Sequence, residues 1–218
     1  MLLNLSPQEL LQTTRAVRKR LDLHRPVERE VLQSCLELAM QAPSGSNNQN
    51  WHFMVITDRQ QRAALGNLYR RGFATYCDLA RKGQAVAMRR TALPTRKDIE
   101  RLQISSSHLL EHIHEVPVML IPCIEDRVEE ESVVEQANAW GSILPATWSF
   151  MLAARTYGLG TCWTTLHLYY EREAAQILGI PHDQVMQAAL IPVAYTQGTT
   201  FHPAPRHTLA NVVHWNHW

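Results

Sequence analysis

The ten residues Ala42-Pro43-Ser44-Gly45-Ser46-Asn47-Asn48-Gln49-Asn50-Trp51 decide how this chain is read. Pro43 ends a helical pattern. The Ser, Gly and Asn residues after it carry strong turn chemistry, and Trp51 to Thr57 is an aromatic, β-branched run that predicts a strand. A helix end, a polar loop and a strand start therefore fall within one short stretch. Its amide and hydroxyl groups suit the edge of a planar heterocycle with ring nitrogens and carbonyls. Polar turns are common, so the stretch alone indicates a binding loop without naming its ligand.

Working outward, Ser6-Pro7-Gln8-Glu9 predicts a helix start with a capping box, and the helix runs into Thr13 or Thr14. A basic segment follows, Arg15, Arg18, Lys19 and Arg20, then His24 and Arg25. Pro26 is expected to open a helix whose apolar positions are Val27, Val31, Leu32, Cys35, Leu38 and Ala39. Beyond the loop, Asp58 caps a helix to about Tyr69. Residues 70–100 are basic, with expected breaks at Gly72, Gly83 and Pro94, and read as a mobile covering segment. Ser105 to His114 reads as helix and Val116 to Ile124 as a buried strand. Asn138 to Tyr157 is apolar nearly all round, which places it in a core or an interface, with a kink at Pro145 if that residue lies inside. Gly158-Leu159-Gly160 reads as a helix stop and Thr161 to Leu166 as a short strand. Glu171 to Leu178 reads as a helix ended by Gly179 and Pro181, and Val185 to Tyr195 as a buried strand before the tail. Helices and strands mix without a βαβ rhythm, so the expected class is α+β.

The composition is that of an ordinary globular chain: 218 residues, 45% hydrophobic and 19% charged, with a formal net charge of +1. No global field favours nucleic acid or an anionic membrane. No apolar run approaches the roughly 18 residues that a membrane span needs. Met1 to Leu11 has no basic region followed by an apolar block, and the four cysteines form no CxxC. The expectation is a cytoplasmic protein with reduced thiols.

The glycine-rich nucleotide signatures GxGxxG and GxxxxGK[ST] are missing. A phosphorylated ligand would need arginine side chains, whose guanidinium groups give bidentate, charge-assisted hydrogen bonds to phosphate oxygens. Arg15, Arg18 and Arg20 near one end and Arg206 near the other are the candidates, set against the plainer reading of a solvated basic face. His108 and His112, four apart beside Glu111 and His114, have metal-ligand spacing but no HExxH and no identifiable third ligand, so a polar helix face is preferred. Cys162, in an apolar strand, reads as a buried, inert thiol. No GxSxG elbow is present.

Four stretches in order resemble the nitroreductase family. Thr14-Arg15-Ala16-Val17-Arg18 is similar to the family's RRSxR segment, Ala42 to Trp51 to its APSxxNxQPW loop, and Ala154 to Thr165 (ARTYGLGTCWTT) to its helix end and strand over the flavin. Pro205-Arg206-His207-Thr208-Leu209 is similar to its late Arg-x-x-Leu element. The resemblance runs from about Thr14 to Arg206. It departs at Thr14, where the family usually has Arg, at Ala16, where it has Ser, and at Asn50, where it has Pro. Lys19, Arg20 or a partner residue would have to compensate at the first two.

The resemblance implies a central, largely antiparallel sheet wrapped by helices, one domain over residues 1–218, and an intertwined homodimer with FMN at its interface. It implies cofactor-binding roles for Arg15, Ala16, Arg18, Pro43, Ser44, Asn47, Gln49, Trp163, Thr164, Thr165 and Arg206. Arg15, Arg18 and Arg206 would hold the phosphate, Ser44 or a nearby N–H the ring's N5 edge, Asn47 the pyrimidine or ribityl side, and Thr164 and Thr165 would offer backbone N–H groups. NADH or NADPH would reduce the flavin, which passes electrons in a ping-pong cycle to a small electron-poor acceptor such as a nitroaromatic, quinone or enone. No protein acid or base and no metal is required. Residues 70–115 would shape the acceptor side as a lid. The alternatives are a specialised FMN enzyme of the same fold, for reductive dehalogenation or flavin fragmentation, and a flavin-binding module without turnover.

Overall fold

The computed structural model describes residues 2–84, 96–206 and 208–218. Its helices are α1 (Pro7–Thr13), α2 (Arg29–Ala39), α3 (Arg59–Arg81), α4 (Arg96–His112), α5 (Val133–Thr156) and α6 (Glu171–Leu178). Its strands are β1 (Trp51–Ile56), β2 (Val118–Glu125), β3 (Leu159–Thr161), β4 (Val185–Gln187) and β5 (Ile191–Tyr195).

The apolar run predicted as a buried strand is β2, and it lies in the middle of the sheet. β1 pairs with it along one side, from Trp51 opposite Ile124 to Ile56 opposite Met119. On its other side β5 pairs with Val118–Leu120 and β4 with Cys123–Glu125, and β3 pairs with β5. All these pairings are antiparallel, and the α+β expectation holds. β2 changes partner at Pro122. Proline has no N–H for a ladder, and the Pro122 carbonyl accepts from the Ala188 N–H at 2.8 Å. The single strand expected over Val185–Tyr195 is therefore two. Between them Leu190 exchanges backbone hydrogen bonds with Thr164 instead of continuing the ladder.

Both faces of β2 are covered, which is why its sequence reads as continuous apolar residues rather than alternation. Val118 and Leu120, with Ile191 and Val193, pack against Cys35 and Ala39 of α2 and Phe150 and Ala154 of α5. Met119, Ile121 and Cys123 face Leu65, Leu68 and Tyr69 of α3 and Ala174 of α6.

Local signals set most of the helix starts. The Ser6 hydroxyl accepts from the Glu9 N–H at 3.2 Å and the Glu9 carboxylate from the Ser6 N–H at 2.8 Å, the expected capping box. Asp58 caps α3 through the Gln61 N–H at 2.8 Å. α2 begins at Arg29, not at Pro26. The Glu28 carboxylate accepts the Tyr195 hydroxyl at 2.5 Å and the Arg25 guanidinium lies 3.5 Å from the Tyr195 ring, and the chain is still extended at Glu28. α6 has the predicted bounds and ends on Gly179.

α3 corrects the expected stop near Tyr69, since it runs on to Arg81 through Gly72. Gly72 is no break. Helix α3 crosses the Leu166–Tyr170 turn there, and a Cβ on Gly72 would sit 2.0 Å from the Leu166 carbonyl oxygen. Gly72→Ala is therefore expected to cost about 3 kcal/mol through overpacking against backbone, read as a lower denaturant midpoint. An unchanged midpoint would mean that this contact does not set the spacing. Gly83, with φ +69, does follow the helix end, while the expected break at Pro94 lies outside the described residues.

α5 extends the expected Asn138–Tyr157 helix back to a cap at Ser132 and runs unbroken through Pro145. Pro145 crowds the carbonyl four residues back, which belongs to Gly141, a residue with open space around it. Leu159 and Gly160, expected as part of the helix stop, already belong to β3, and the strand ends at Thr161. Among the described residues no helix is long and apolar enough to cross a membrane.

Candidate functional site

The basic segment after α1 docks on the end of β3. Val17 donates its N–H to the Thr161 carbonyl at 2.8 Å, bridging Ala16 to the strand, and Asp22 donates to the Tyr195 carbonyl at 2.8 Å. This places Arg15, Ala16 and Arg18 beside Trp163, Thr164 and Thr165, which leave β3 directly. Burial raises the pKa of the Cys162 thiol, and the nearby Arg18 guanidinium opposes that rise. Cys162 is fully buried, as expected for an inert thiol. Tyr69 of α3 lies within electrostatic reach of both, and burial pushes its phenol up to about 12, so it stays neutral.

Arg206 enters from the C-terminal arm. Arg15 donates to the His202 carbonyl at 2.9 Å, and Arg206 follows four residues later with an exposed side chain that contacts the Pro205 carbonyl at 3.0 Å. Four extended residues reach about 13–14 Å at most, which bounds how far Arg206 lies from the His202 end of the arm. Among the described residues no carboxylate lies within salt-bridge distance of Arg15, Arg18 or Arg206. Arg71 and Arg127, by contrast, are paired with Glu173 at 2.6 Å and Glu171 at 2.8 Å. Guanidinium groups without carboxylate partners have the chemistry to take an anion.

Two expectations change here. Arg20 is not free to help the clamp, because its guanidinium donates to the carbonyls of Gln197 (2.9 Å), Thr200 (2.8 Å) and Gly198 (2.6 Å). Nor does Thr164 offer its N–H to a ligand. Both its N–H and its hydroxyl go to the Leu190 carbonyl, at 3.2 and 2.6 Å, so it fixes the path of the chain leaving β3. Thr165, the next residue, is exposed.

Pro43, Ser44, Asn47 and Gln49 form a second group. Their loop is tied to α5: the Gly45 N–H donates to the Ser142 hydroxyl at 2.9 Å, and a Cβ on Gly45 would meet the Asn138 amide. Ser46, Asn47 and Gln49 have φ of 49°, 57° and 52°, so three residues without glycine's freedom sit in the left-handed region. Such backbone is held only where its surroundings over-determine it, and it concentrates at binding sites. The Ser44 hydroxyl accepts from the Gln49 N–H at 3.1 Å, and Asn47 Oδ1 accepts from Gln49 Nε2 at 3.0 Å. Among the described residues the Ser44 hydroxyl hydrogen and the Asn47 amide hydrogens have no acceptor. Among the described residues no hydrogen bond joins this loop to Arg15–Arg18 or to Trp163–Thr165.

Two cavities among the described residues hold none of Arg15, Arg18, Arg206, Ser44 or Asn47. One of about 690 Å³ is lined by His52, Met54, Cys123, Arg127 and the turn after α6, and holds none of the candidate residues. Another, of about 500 Å³ beside Gly45 and Asn48, carries Glu125, Asp126, Glu131, Glu135 and Asp183, a charge that repels phosphate.

The nitroreductase family model matches residues 11–195, which include the basic segment, the loop and the β3 exit. The chain belongs to the nitroreductase family. That membership makes it an oxidoreductase. This nitroreductase-family chain is 23% identical over 183 residues to a candidate NADH dehydrogenase/NAD(P)H nitroreductase of Archaeoglobus fulgidus, covering 82% of this chain and 79% of that one. Its fold matches an oxidized iodotyrosine deiodinase bound to FMN and 3-iodo-L-tyrosine, with TM-score 0.71, 20% identity, and coverage of 97% and 99% of the two chains. It also matches the FMN and NADPH-dependent nitroreductase NfnB of Sphigopyxis sp. strain HMH, with TM-score 0.67, 22% identity, and coverage of 98% and 100%. At these identities the likeness concerns the fold.

Sequence reading missed Tyr69 and Arg155. Tyr69 looked like a helix end, and only the continuation of α3 places it beside Arg18 and Cys162. Arg155 had a signal: it is the one cation in the apolar last turns of α5.

Proposed function

We propose that this chain is an FMN-dependent oxidoreductase, reduced by NADH or NADPH and oxidised by a small electron-poor acceptor. The observation that carries the reading is the group of arginines without carboxylate partners where the basic segment meets the β3 exit. A dianionic phosphate supplies the charge that this group lacks. FMN, when bound, supplies the hydride-accepting and electron-donating chemistry. The protein's own work is to bind and orient. Arg15, Arg18 and Arg206 hold the phosphate end, Trp163 and Thr165 flank the flavin, and Ser44 and Asn47 donate along the ring edge.

The loop packs on α5 at Asn138 and Ser142, whereas the basic segment docks on β3 beyond the helix's C-terminal end, which supports a homodimer in which each flavin takes the arginines of one protomer and the loop of its partner. Ala137, Gly141, Leu144 and Trp148 of α5 recur at helical spacing, and all are exposed in the single chain. An apolar or small-residue stripe of this kind is what a second protomer would cover. The segment 70–115 shapes the acceptor side. Residues 70–81 form the second half of α3, so the part of it that could close over a substrate is narrower than composition suggested.

The test is a visible spectrum of the dialysed protein before and after anaerobic NADH and NADPH. A flavin spectrum that bleaches with either nucleotide is expected. Failure to take up added FMN would overturn the reading, and bound flavin that neither nucleotide reduces would leave a binding module.

A further inference from the structure

We propose that Arg155 and Arg20 are positioning residues for the flavin phosphate: they fix the 197–202 arm that orients Arg15 and delivers Arg206. The inference rests on the FMN reading above and adds to it the device that builds the anion site.

Arg155 sits in the last turn of α5, and only 4% of its surface is exposed. Its Nη2 donates to the Thr199 carbonyl at 2.8 Å, while among the described residues its Nε and Nη1 have no partner. A buried guanidinium with donors unmatched is costly. An apolar residue, like Met151 or Ala154 in the same helix, would avoid that cost. The arm is what the charge holds. Arg20 donates to the carbonyls of Gln197, Gly198 and Thr200, so two arginines donate to four successive carbonyls, Gln197 to Thr200. The two guanidinium carbons lie 4.2 and 4.8 Å from the centre of the Phe201 ring. Directing these carbonyls toward the arginines needs Gly198 at φ +74, where a Cβ would also lie 3.0 Å from Arg20 Nη2.

Two residues past Thr200, the His202 carbonyl accepts from Arg15. Contacts therefore run from Arg155 and Arg20, through the arm, to Arg15 at His202, and the same arm continues along the chain to Arg206. Both cations lack carboxylate partners among the described residues. They add to the positive field behind the phosphate instead of cancelling it. They touch neither flavin nor substrate in this scheme. They act through the arm.

Riboflavin has the same ring and ribityl chain as FMN without the phosphate, so the ratio of the two affinities reads the anion site alone. Equilibrium binding of both flavins to the full-length wild type, to Arg155→Met and to Gly198→Ala tests the proposal. Both variants are expected to bind FMN about tenfold more weakly with riboflavin affinity unchanged, and Arg155→Lys to recover part of the selectivity. Equal weakening toward both flavins would make the arm a purely structural element and overturn the proposal. So would unchanged selectivity in Gly198→Ala, which keeps the question open to decision if Arg155→Met does not fold. A wild type that binds no FMN would overturn the function proposed above. A wild type that prefers FMN, with variants that prefer it equally, would overturn the positioning role alone.

Discussion

Replacing Arg18 and Arg206 together by alanine is expected to raise the dissociation constant for FMN by about a hundredfold or more. A hydrogen bond to a charged group contributes roughly 1.5–3 kcal/mol, so losing two removes about 3–6 kcal/mol of binding. The protein itself should be little affected. Arg206 is exposed and Arg18 half-buried, and neither has a carboxylate partner among the described residues that would be left uncompensated. Calorimetric titration with FMN, beside a thermal melt of the empty protein, separates the two effects. Undiminished FMN binding by the double variant would show that the phosphate sits elsewhere. This substitution tests the site directly, whereas Arg155→Met tests how it is held.

A second large effect is expected in acid. His167 is fully buried in the Leu166–Tyr170 turn, and its imidazole pKa is pushed down from 6.5 to about 3 by burial, against a smaller opposing contribution from Gln187. The unfolded chain takes up this proton as pH falls through 6.5, and the folded chain only near 3. Between those values the unfolded state binds more protons, so stability is full above the upper value and falls as pH drops toward the lower one. The slope is about 1.4 kcal/mol per pH unit, or roughly 2 kcal/mol between pH 7 and pH 5. Around the imidazole, Gln187 donates its N–H to the Glu171 carboxylate at 2.9 Å and its side-chain amide to the Glu171 carbonyl at 3.0 Å, and Arg127 pairs with the same carboxylate. Among the described residues no carboxylate pairs with His167, and Glu171 is already held by Arg127 and Gln187. The measurement is denaturant unfolding of the wild type and His167→Leu at several pH values. The difference in stability between them should shift by about that amount from pH 7 to pH 5. Parallel pH profiles would show that His167 does not titrate in this way.

Much of the architecture was legible because it rests on local rules. The capping box at Ser6 and Glu9, the Asp58 cap, the bounds of α6 and the apolar run of β2 follow from side chains acting within a few residues of themselves. The α+β class and the family followed from such patterns and from four short motifs in order. The candidate site was legible as types of residue, with Arg15, Arg18 and the 43–49 loop standing out by their chemistry.

What each polar group is bonded to was not legible. Nothing near Arg20 in sequence says that its guanidinium meets carbonyls some 180 residues away, and so the sequence offered it to the phosphate. The Thr164 N–H looked available until Leu190 came beside it, and Gly72 looked like a break until the Leu166 backbone arrived against its open face. Pro122 cut the last apolar run in two from the neighbouring strand, leaving no mark within residues 185–195 themselves. By itself the sequence determined the elements, the class and the chemistry on offer, because propensity, capping and periodicity act over a few residues. The tertiary structure alone decided which arginines lack a carboxylate partner among the described residues and which donate to the arm, because hydrogen bonds and close packing are settled by groups that only folding brings together.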